Sequence, residues 1–156
     1  SLLELHAWRF ATRRKRLAQL ATDTWNWAYA YAEPNGALKL LAVLPESAPS
    51  DAETQGYESE SDTNGAAIIL TNQEGATLRY VACVTDTTVF SPLFVDALAW
   101  LLASYLAGPV IKGDAGVTMA RACMQSFLIA LSNAKTSDAN QRSVRPKHTP
   151  SWIAGR

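Results

Sequence analysis

Four consecutive cations, Arg13, Arg14, Lys15 and Arg16, form the densest run of charge in the 156-residue chain. Such a run can face phosphates, because neutralising a nucleic-acid backbone supplies most of the non-specific affinity for it. The same cations could instead contact another subunit, or protect an exposed edge strand from pairing with other chains. They lack carboxylates three or four residues away that would stabilise a helix. We therefore predict a long, twisted strand over residues 9–21 with an exposed middle.

Four aromatic residues, Trp25, Trp27, Tyr29 and Tyr31, alternate with small or polar residues. This spacing predicts a strand that carries all four rings on one face. Interleaved aromatic rings can stack on nucleobases, but stacking platforms generally keep cations on the same face. Here the cations belong to a different segment, so the pattern favours internal packing or a subunit interface.

Carboxylates dominate the middle of the chain, where the segment Leu40–Leu78 contains seven acidic residues and no basic one. Paired carboxylates can bind a metal ion or act in general acid–base catalysis. The spacing of a calcium loop is missing, however, and no carboxylate lies in the apolar stretch that a catalytic acid needs. These acids therefore indicate a long, solvated surface loop with a short strand near Tyr57. Their separation from the basic segments suits a protein with faces of opposite charge.

Motifs for catalysis are absent from the sequence. It has no Gly-rich phosphate loop, no GxSxG, no HExxH and no Cys/His cluster with zinc spacing. His6 lies among apolar residues without a second ligand, which predicts a partly buried histidine. Cys83 and Cys123 are isolated, and we expect two buried, unpaired thiols. We therefore predict no catalytic residue, no cofactor, no metal and no enzyme activity.

The most apolar stretch of the chain runs from Phe90 to Ile111 and has clear helix signals. Ser91-Pro92 predicts the start of the helix and Gly108-Pro109 its end. Apolar side chains, Trp100 among them, surround almost the whole of this helix, so its own domain, a neighbouring subunit or lipid must cover it. Its polar residues and interruptions leave too short a run for a bilayer, and we expect burial in protein and no membrane partner.

The remaining patterns predict an α+β fold with one domain over residues 1–135. Residues 1–8 have the pattern of an amphipathic helix, with Leu2, Leu5 and Trp8 facing inward. Antiparallel sheet and hairpins are expected over about residues 9–85, with an Asn64-Gly65 turn and a hairpin of residues 67–84 that buries one face. Residues 91–108 and 114–135 are expected to form an αα-hairpin, with Asp114 as the cap of its second helix.

The last segment, residues 136–156, is predicted to form an extended docking tail. It is polar, contains two prolines and has little periodicity. Such tails order mainly by binding to another surface. We expect Trp152 and Ile153 to anchor it, and Arg145, Lys147 and Arg156 to make electrostatic contacts.

Several segments, in this order, resemble the tail tubular protein A family, the head–tail adaptor or gatekeeper proteins of short-tailed bacteriophages. They are LLELHAWRFATRRKRLA, WNWAYAYAEPNGALKLLAVL, GAAIILTN, LRYVACVTDTTVFSPLFVDALAWLLASYLAGPV and PSWIAGR. The resemblance covers nearly the whole chain, and its most specific parts are the start of the apolar helix and the terminal Ser-Trp before an arginine. Relatives have further helical sequence before LLELHAW, so we expect residues to precede Ser1.

The resemblance implies a structural virion protein of the tail or neck, assembled in the host cytoplasm. Its partners would be eleven further copies in a dodecameric ring, the portal protein, the tail nozzle protein and the genomic DNA that passes through the lumen during ejection. Two alternatives stay open, and no pair of carboxylates in the sequence indicates the second. One is a nucleic-acid-binding module that uses residues 13–16 and the aromatics of residues 25–31, and the other is a tail hydrolase acting on cell-wall glycan.

Overall fold

Two antiparallel β-sheets and two long helices make up the fold, which a computed structural model describes for residues 1–46 and 53–141. The α+β class predicted from the sequence is thereby confirmed. The chain divides into two compact units, with the sheets in Ser1–Ser91 and the helices in the unit that begins at Pro92.

Seven strands make up the sheets of the described residues. They are β1 (Thr12–Arg16), β2 (Gln19–Leu20), β3 (Tyr29–Ala32), β4 (Ala37–Leu44), β5 (Tyr57–Ser61), β6 (Ala67–Thr71) and β7 (Thr77–Ala82). The first sheet has the order β1-β7-β4, and the second has the order β2-β3-β6-β5. The single long strand predicted over residues 9–21 is wrong, because β1 and β2 belong to different sheets.

The turn at Asn64-Gly65 joins β5 to β6, which pair in antiparallel register as a hairpin. Gly65 has a φ of +80°, a conformation that glycine adopts without steric cost. The second predicted hairpin is wrong. β6 pairs with β3 and β5, whereas β7 pairs with β1 and β4, so the turn at Gln73–Gly75 crosses from one sheet to the other.

Apolar residues from both sheets form one core. Tyr31 and Ile69 of the second sheet pack with Val43, Leu78 and Tyr80 of the first. The Tyr31 hydroxyl donates a hydrogen bond to the backbone carbonyl of Gln73 at 2.8 Å, which satisfies the polar atom at the edge of the core. A smaller cluster on the opposite face of the second sheet contains Ala30, Ile68 and Leu70. β6 is therefore buried on both faces.

The amphipathic helix predicted at the N-terminus is wrong beyond its first turn. Leu2–Leu5 form a 3₁₀ helix, and His6 is already extended with φ −154° and ψ 152°. Because the helix stops there, Leu5 lies exposed while Leu2 and Leu3 are buried. Trp8 is fully buried as predicted, and its indole N–H donates to the Leu2 carbonyl at 3.2 Å.

The strand predicted to carry four aromatic rings begins only at Tyr29, so that prediction is wrong for the two tryptophans. Trp25 has a φ of 49° and is 74% exposed in the preceding turn. A hydrogen bond from the Trp27 amide to the Thr24 carbonyl, at 2.8 Å, closes this turn. Tyr29 and Tyr31 share a face of β3, and their ring centroids lie 6.4 Å apart.

Helices α1 (Pro92–Ile111) and α2 (Gly113–Asn140) form the predicted αα-hairpin. α1 begins at Pro92 as expected but continues past Gly108-Pro109 to Ile111, so the predicted end of the helix is wrong. Pro109 interrupts the backbone hydrogen bonds of the last turn without ending the helix there. The turn falls at Lys112 and Gly113, each with a φ of 60°. Asp114 therefore lies in the first turn of α2 and is not its cap. The helix also covers residues 136–140, which were assigned to the tail.

Gly116 sets the distance between the two helices. A Cβ atom at this position would lie 3.2 Å from the Ala107 carbonyl oxygen and 3.3 Å from that of Gly108. Backbone oxygens cannot move aside as a flexible side chain would, so Gly116→Val should force the helices apart.

We expect Gly116→Val to lower the free energy of unfolding by about 1–3 kcal/mol, the usual cost of overpacking. Urea denaturation followed by circular dichroism measures this change. Gly108→Ala is the matched control, because an added Cβ there meets no atom within 4 Å. Equal stabilities of the two variants would show that the helices do not meet closely at Gly116.

Candidate interaction surfaces

Both helices carry apolar side chains that the described residues leave exposed. On α1, a stripe at spacings of three and four residues follows Val95, Leu98, Leu102 and Leu106, with Tyr105 beside it. We call this set the α1 stripe. On α2, Val117, Met119, Met124, Leu128 and Ile129 are also exposed. Monomeric proteins rarely expose contiguous apolar patches of this kind, so the stripe is a candidate binding surface.

The sequence predicted deep burial of this helix in protein, and within the described residues only part of it is buried. Phe94, Ala97, Ser104 and Ala107 are the buried residues of α1. Trp100 is 39% exposed, and Val110 and Ile111 are exposed as well. By length and composition alone, α1 and α2 could each cross a membrane, which is a weak indication because core helices of soluble proteins meet the same criteria.

The four cations of the sequence lie on β1, at one edge of the first sheet. Arg13, Arg14, Lys15 and Arg16 are all exposed, as predicted. The Arg16 guanidinium forms an ion pair with Glu46 at 2.6 Å, and both side chains are more than half exposed. A solvent-exposed pair of this type contributes little to stability.

An acidic edge lies on β5, at the outer position of the second sheet. Glu58 and Glu60 are exposed on one face of this strand. The Glu58 carboxylate accepts a hydrogen bond from the Trp27 indole N–H at 3.2 Å, and the Ser59 hydroxyl donates to Glu33 at 3.2 Å. The sequence predicted a strand near Tyr57 but gave these acids only the role of solvated loop residues. Their alternation with Tyr57, Ser59 and Ser61 was the signal for an edge strand.

Base stacking has little support in the positions of the aromatic residues. Tyr31 is buried and Trp27 is hydrogen-bonded to Glu58, which leaves Trp25 as the most exposed ring of the four. The basic strand β1 and the aromatic strand β3 also belong to different sheets. The residues of the predicted nucleic-acid site are therefore not assembled on one strand face.

Metal-binding geometry is not found among residues 1–46 and 53–141. No group of three or more His, Cys, Asp or Glu side chains there could hold a metal ion. An open groove has Arg16, Glu46 and Glu74 in its lining, but Glu46 is ion-paired and the groove lacks the enclosed apolar setting of a glycosidase acid.

The remaining titratable groups of note have structural explanations. Hydrogen bonds from the Thr88 side chain and amide lower the pKa of Asp86, which caps a 3₁₀ helix at Thr87–Val89. Both cysteines are free, and Cys123 is buried as expected. The prediction for Cys83 is wrong, because its thiol is exposed after the end of β7. His6 is partly buried against Trp8, with ring centroids 4.9 Å apart.

No family model matches the chain, and no curated protein matches it. The remaining interface candidates of the sequence, Arg145, Lys147, Trp152, Ile153 and Arg156, lie outside the described residues. Among the described residues, the α1 stripe and the charged strands β1 and β5 are thus the candidate binding surfaces.

Proposed function

We propose that this chain is a structural subunit of a head-to-tail adaptor ring in a short-tailed bacteriophage. The ring joins the portal to the tail nozzle, lines the channel for DNA, and forms part of the virion neck after assembly in the host cytoplasm. The assignment of the phage role rests on the resemblance of the sequence segments. The physical argument for self-association rests on the exposed α1 stripe.

The α1 stripe supports an assembly because its exposure is costly for a lone subunit. Leu102 is 55% exposed and Leu106 is 50% exposed, and both lie on the same side of the helix. Removing apolar surface from water gains roughly 25 cal/mol per Å². A neighbouring copy that covers the stripe recovers this free energy from several side chains at once.

The charges support contacts with unlike surfaces. The chain has no net charge, yet a run of four exposed cations lies on β1 and two exposed acids lie on β5. A ring subunit contacts its two neighbours through two different surfaces, which must be complementary to each other. Separated patches of opposite sign provide this complementarity and disfavour wrong pairings.

The particle mass tests the proposal. Sedimentation and native mass spectrometry of the purified chain should give a closed assembly of many 16.9 kDa subunits, and a dodecamer is expected from the resemblance. Negative-stain images should show rings with a central opening. A stable monomer over the accessible concentration range would contradict the proposal.

Two further measurements distinguish the competing functions. Tight binding of a monomer to DNA, with affinity that falls by orders of magnitude over a modest rise in salt, would indicate a nucleic-acid-binding module. Co-flotation with liposomes and insolubility without detergent would indicate that α1 and α2 enter a membrane. We expect neither result for an adaptor subunit.

A further inference from the structure

The exposed apolar surface of this chain is concentrated on the αα-hairpin. Of the 17 large hydrophobic side chains that are exposed among the described residues, 14 lie on α1 and α2. The other three, Leu5, Trp25 and Val89, belong to the first unit and are far apart in the sequence. Monomeric proteins rarely expose so much apolar surface on one element, so the hairpin is the part of the chain that needs a cover.

One row of these side chains on each helix lies directly beside the contact between the helices. Successive residues of a helix are turned by about 100°, so a residue that follows a buried one lies on the flank of the buried side. On α1, Val95 and Leu98 each follow a buried residue. α2 repeats this pattern, since Val117, Met124 and Leu128 also each follow a buried residue.

The two rows lie on the same side of the hairpin. The helices are antiparallel neighbours that approach closely at Gly116 and Ala107. A twofold axis perpendicular to the plane of two antiparallel helices exchanges the helices and leaves each side of that plane unchanged. Residues that follow buried ones in either helix therefore share one side. We call the α1 stripe together with Val117, Met124 and Leu128 the stripe face.

The opposite side of the hairpin is apolar as well. By the same geometry, residues that precede a buried one lie on the other flank, as Leu93 does on α1 and Ile129 on α2. Trp100 lies two turns after Leu93, and Met119 is exposed on the same side of α2. We call Leu93, Trp100, Met119 and Ile129 the tryptophan face. Ala122 precedes the buried Cys123 and leaves room on this face for larger side chains.

The polar residues of α2 lie on a third side, the edge of the hairpin that is turned away from α1. At spacings of three, four and seven residues, the exposed side chains there are Asp114, Thr118, Arg121, Gln125 and Ser132. A helix surrounded by lipid would place these groups in hydrocarbon, where charged and polar side chains are costly. Packing between two protein surfaces leaves this edge in water. The pattern therefore favours protein over lipid as the cover of both faces.

We propose that the stripe face of one copy of this chain packs on the tryptophan face of the next copy, so that the helical hairpins stack side by side. This inference rests on the proposed self-association and adds to it the two surfaces that meet. Each copy then uses one face toward each neighbour, as a heterologous contact requires. Pairing of two stripe faces would instead leave both tryptophan faces in water.

Charge and size agree with this pairing. Asp96, the one charged residue of α1, is exposed and precedes the buried Ala97, which places it on the side of the tryptophan face. Arg121 lies between Val117 and Met124, where the polar edge of α2 meets the stripe face. Unlike faces thus carry opposite charges, whereas like faces would bring equal charges together.

The size of each face is sufficient for a specific contact. α1 has 20 residues. With a rise of 1.5 Å per residue and helices about 10 Å wide, the face of two helices measures about 30 Å by 20 Å. This is of the order of the area that one partner contributes to a standard interface, about 800 Å².

Mixing two variants, each with one face altered, tests the pairing. The stripe variant carries Leu102→Glu with Leu106→Glu, and the tryptophan-face variant carries Met119→Glu with Ile129→Glu. The latter should associate at least about a hundredfold more weakly than the wild type, because its glutamates would enter an apolar contact. In an equimolar mixture, the intact stripe face of one variant meets the intact tryptophan face of the other. Sedimentation velocity should therefore show a 1:1 dimer of twice 16.9 kDa and no larger species.

Two further variants are the controls. Thr118→Glu with Gln125→Glu adds the same charge to the polar edge of α2 and should assemble like the wild type. Ala122→Arg places a good helix former of opposite charge on the tryptophan face and should weaken assembly as Met119→Glu with Ile129→Glu does. Helical circular dichroism should be unchanged in all variants, since the altered side chains are exposed in the single chain.

The opposite results are equally clear. Homodimers of the tryptophan-face variant would show that like stripe faces meet, and a mixture that stays monomeric would show that the two faces do not bind each other. Co-flotation of the wild type with phosphatidylcholine liposomes would show that lipid covers them. Each of these results overturns the pairing. Wild-type rings that persist in both tryptophan-face variants overturn only the pairing, whereas a wild-type monomer overturns the proposed function itself.

Discussion

Replacing Leu102 and Leu106 by glutamate is expected to convert the assembled protein into monomers. The two side chains lie one turn apart on the α1 stripe and are both about half exposed in the single chain. In an assembly, each glutamate would have to leave water without a cation to pair with. The buried leucine surface would be lost as well.

The expected size of this effect follows from the cost of burying the glutamate charges and from the loss of buried leucine surface. An uncompensated buried charge costs several kcal/mol in practice, and each buried leucine contributes about 1.5–3 kcal/mol. Since about 1.4 kcal/mol is a factor of ten in an equilibrium constant, the association constant should fall by at least about a thousandfold. Sedimentation velocity over a concentration series measures the change.

The control for this experiment adds the same charge elsewhere. Gln125→Glu with Ser132→Glu places two glutamates at exposed polar positions of α2, outside the α1 stripe. This variant should assemble like the wild type. Helical circular dichroism should be unchanged in both proteins, which separates lost association from unfolding. Retained assembly of the Leu102, Leu106 double variant would remove the α1 stripe from the interface.

Replacing Trp8 by alanine is expected to lower the free energy of unfolding by about 3–5 kcal/mol, the cost of a large cavity in a packed core. Trp8 has no exposed surface. Its ring contacts the His6 ring edge-on, with ring centroids 4.9 Å apart. It is stacked on the Phe10 ring, with centroids 6.1 Å apart. Phe10 in turn lies 5.3 Å from Phe90, so the tryptophan ties the start of the first unit to its end.

Urea denaturation compares this variant with Trp8→Phe. Phenylalanine keeps most of the apolar volume but leaves the Leu2 carbonyl without its indole donor, which costs about 1–3 kcal/mol. The expected order of stability is wild type, Trp8→Phe, then Trp8→Ala. Since Trp8 is remote in the sequence from the α1 stripe, a loss of stability without a loss of assembly at low temperature is expected. A change below about 1 kcal/mol for alanine would contradict the assigned packing.

Local signals in the sequence were sufficient where short-range chemistry decides the structure. Ser91-Pro92 marked the start of α1, Asn64-Gly65 marked a hairpin turn, and the αα-hairpin followed from two apolar periodicities. Each of these features depends on residues close together in the chain. The α+β class followed from the same elements.

Long-range packing decides the features that the sequence predicted wrongly. The apolar run Ile68–Leu70 is buried on both faces, so its alternation did not show that β6 and β7 enter different sheets. Trp25 fits the alternation of a strand, but the Trp27–Thr24 turn removes it from β3. The edge position of β5 was missed because the pattern near Tyr57 predicts a solvated strand but does not show where that strand lies in a sheet.

The arrangement of the two charged edges has a consequence for growth of the assembly. β1 and β5 are different strands of the same subunit. In the proposed ring, each copy contacts its neighbours through two different surfaces, so two joined copies would still present one vacant surface of each kind. Each addition therefore reproduces the starting condition, and growth by this contact is self-propagating. It terminates only when the rotation between successive subunits brings the last copy back to the first, and any substitution that alters this angle should yield open polymers.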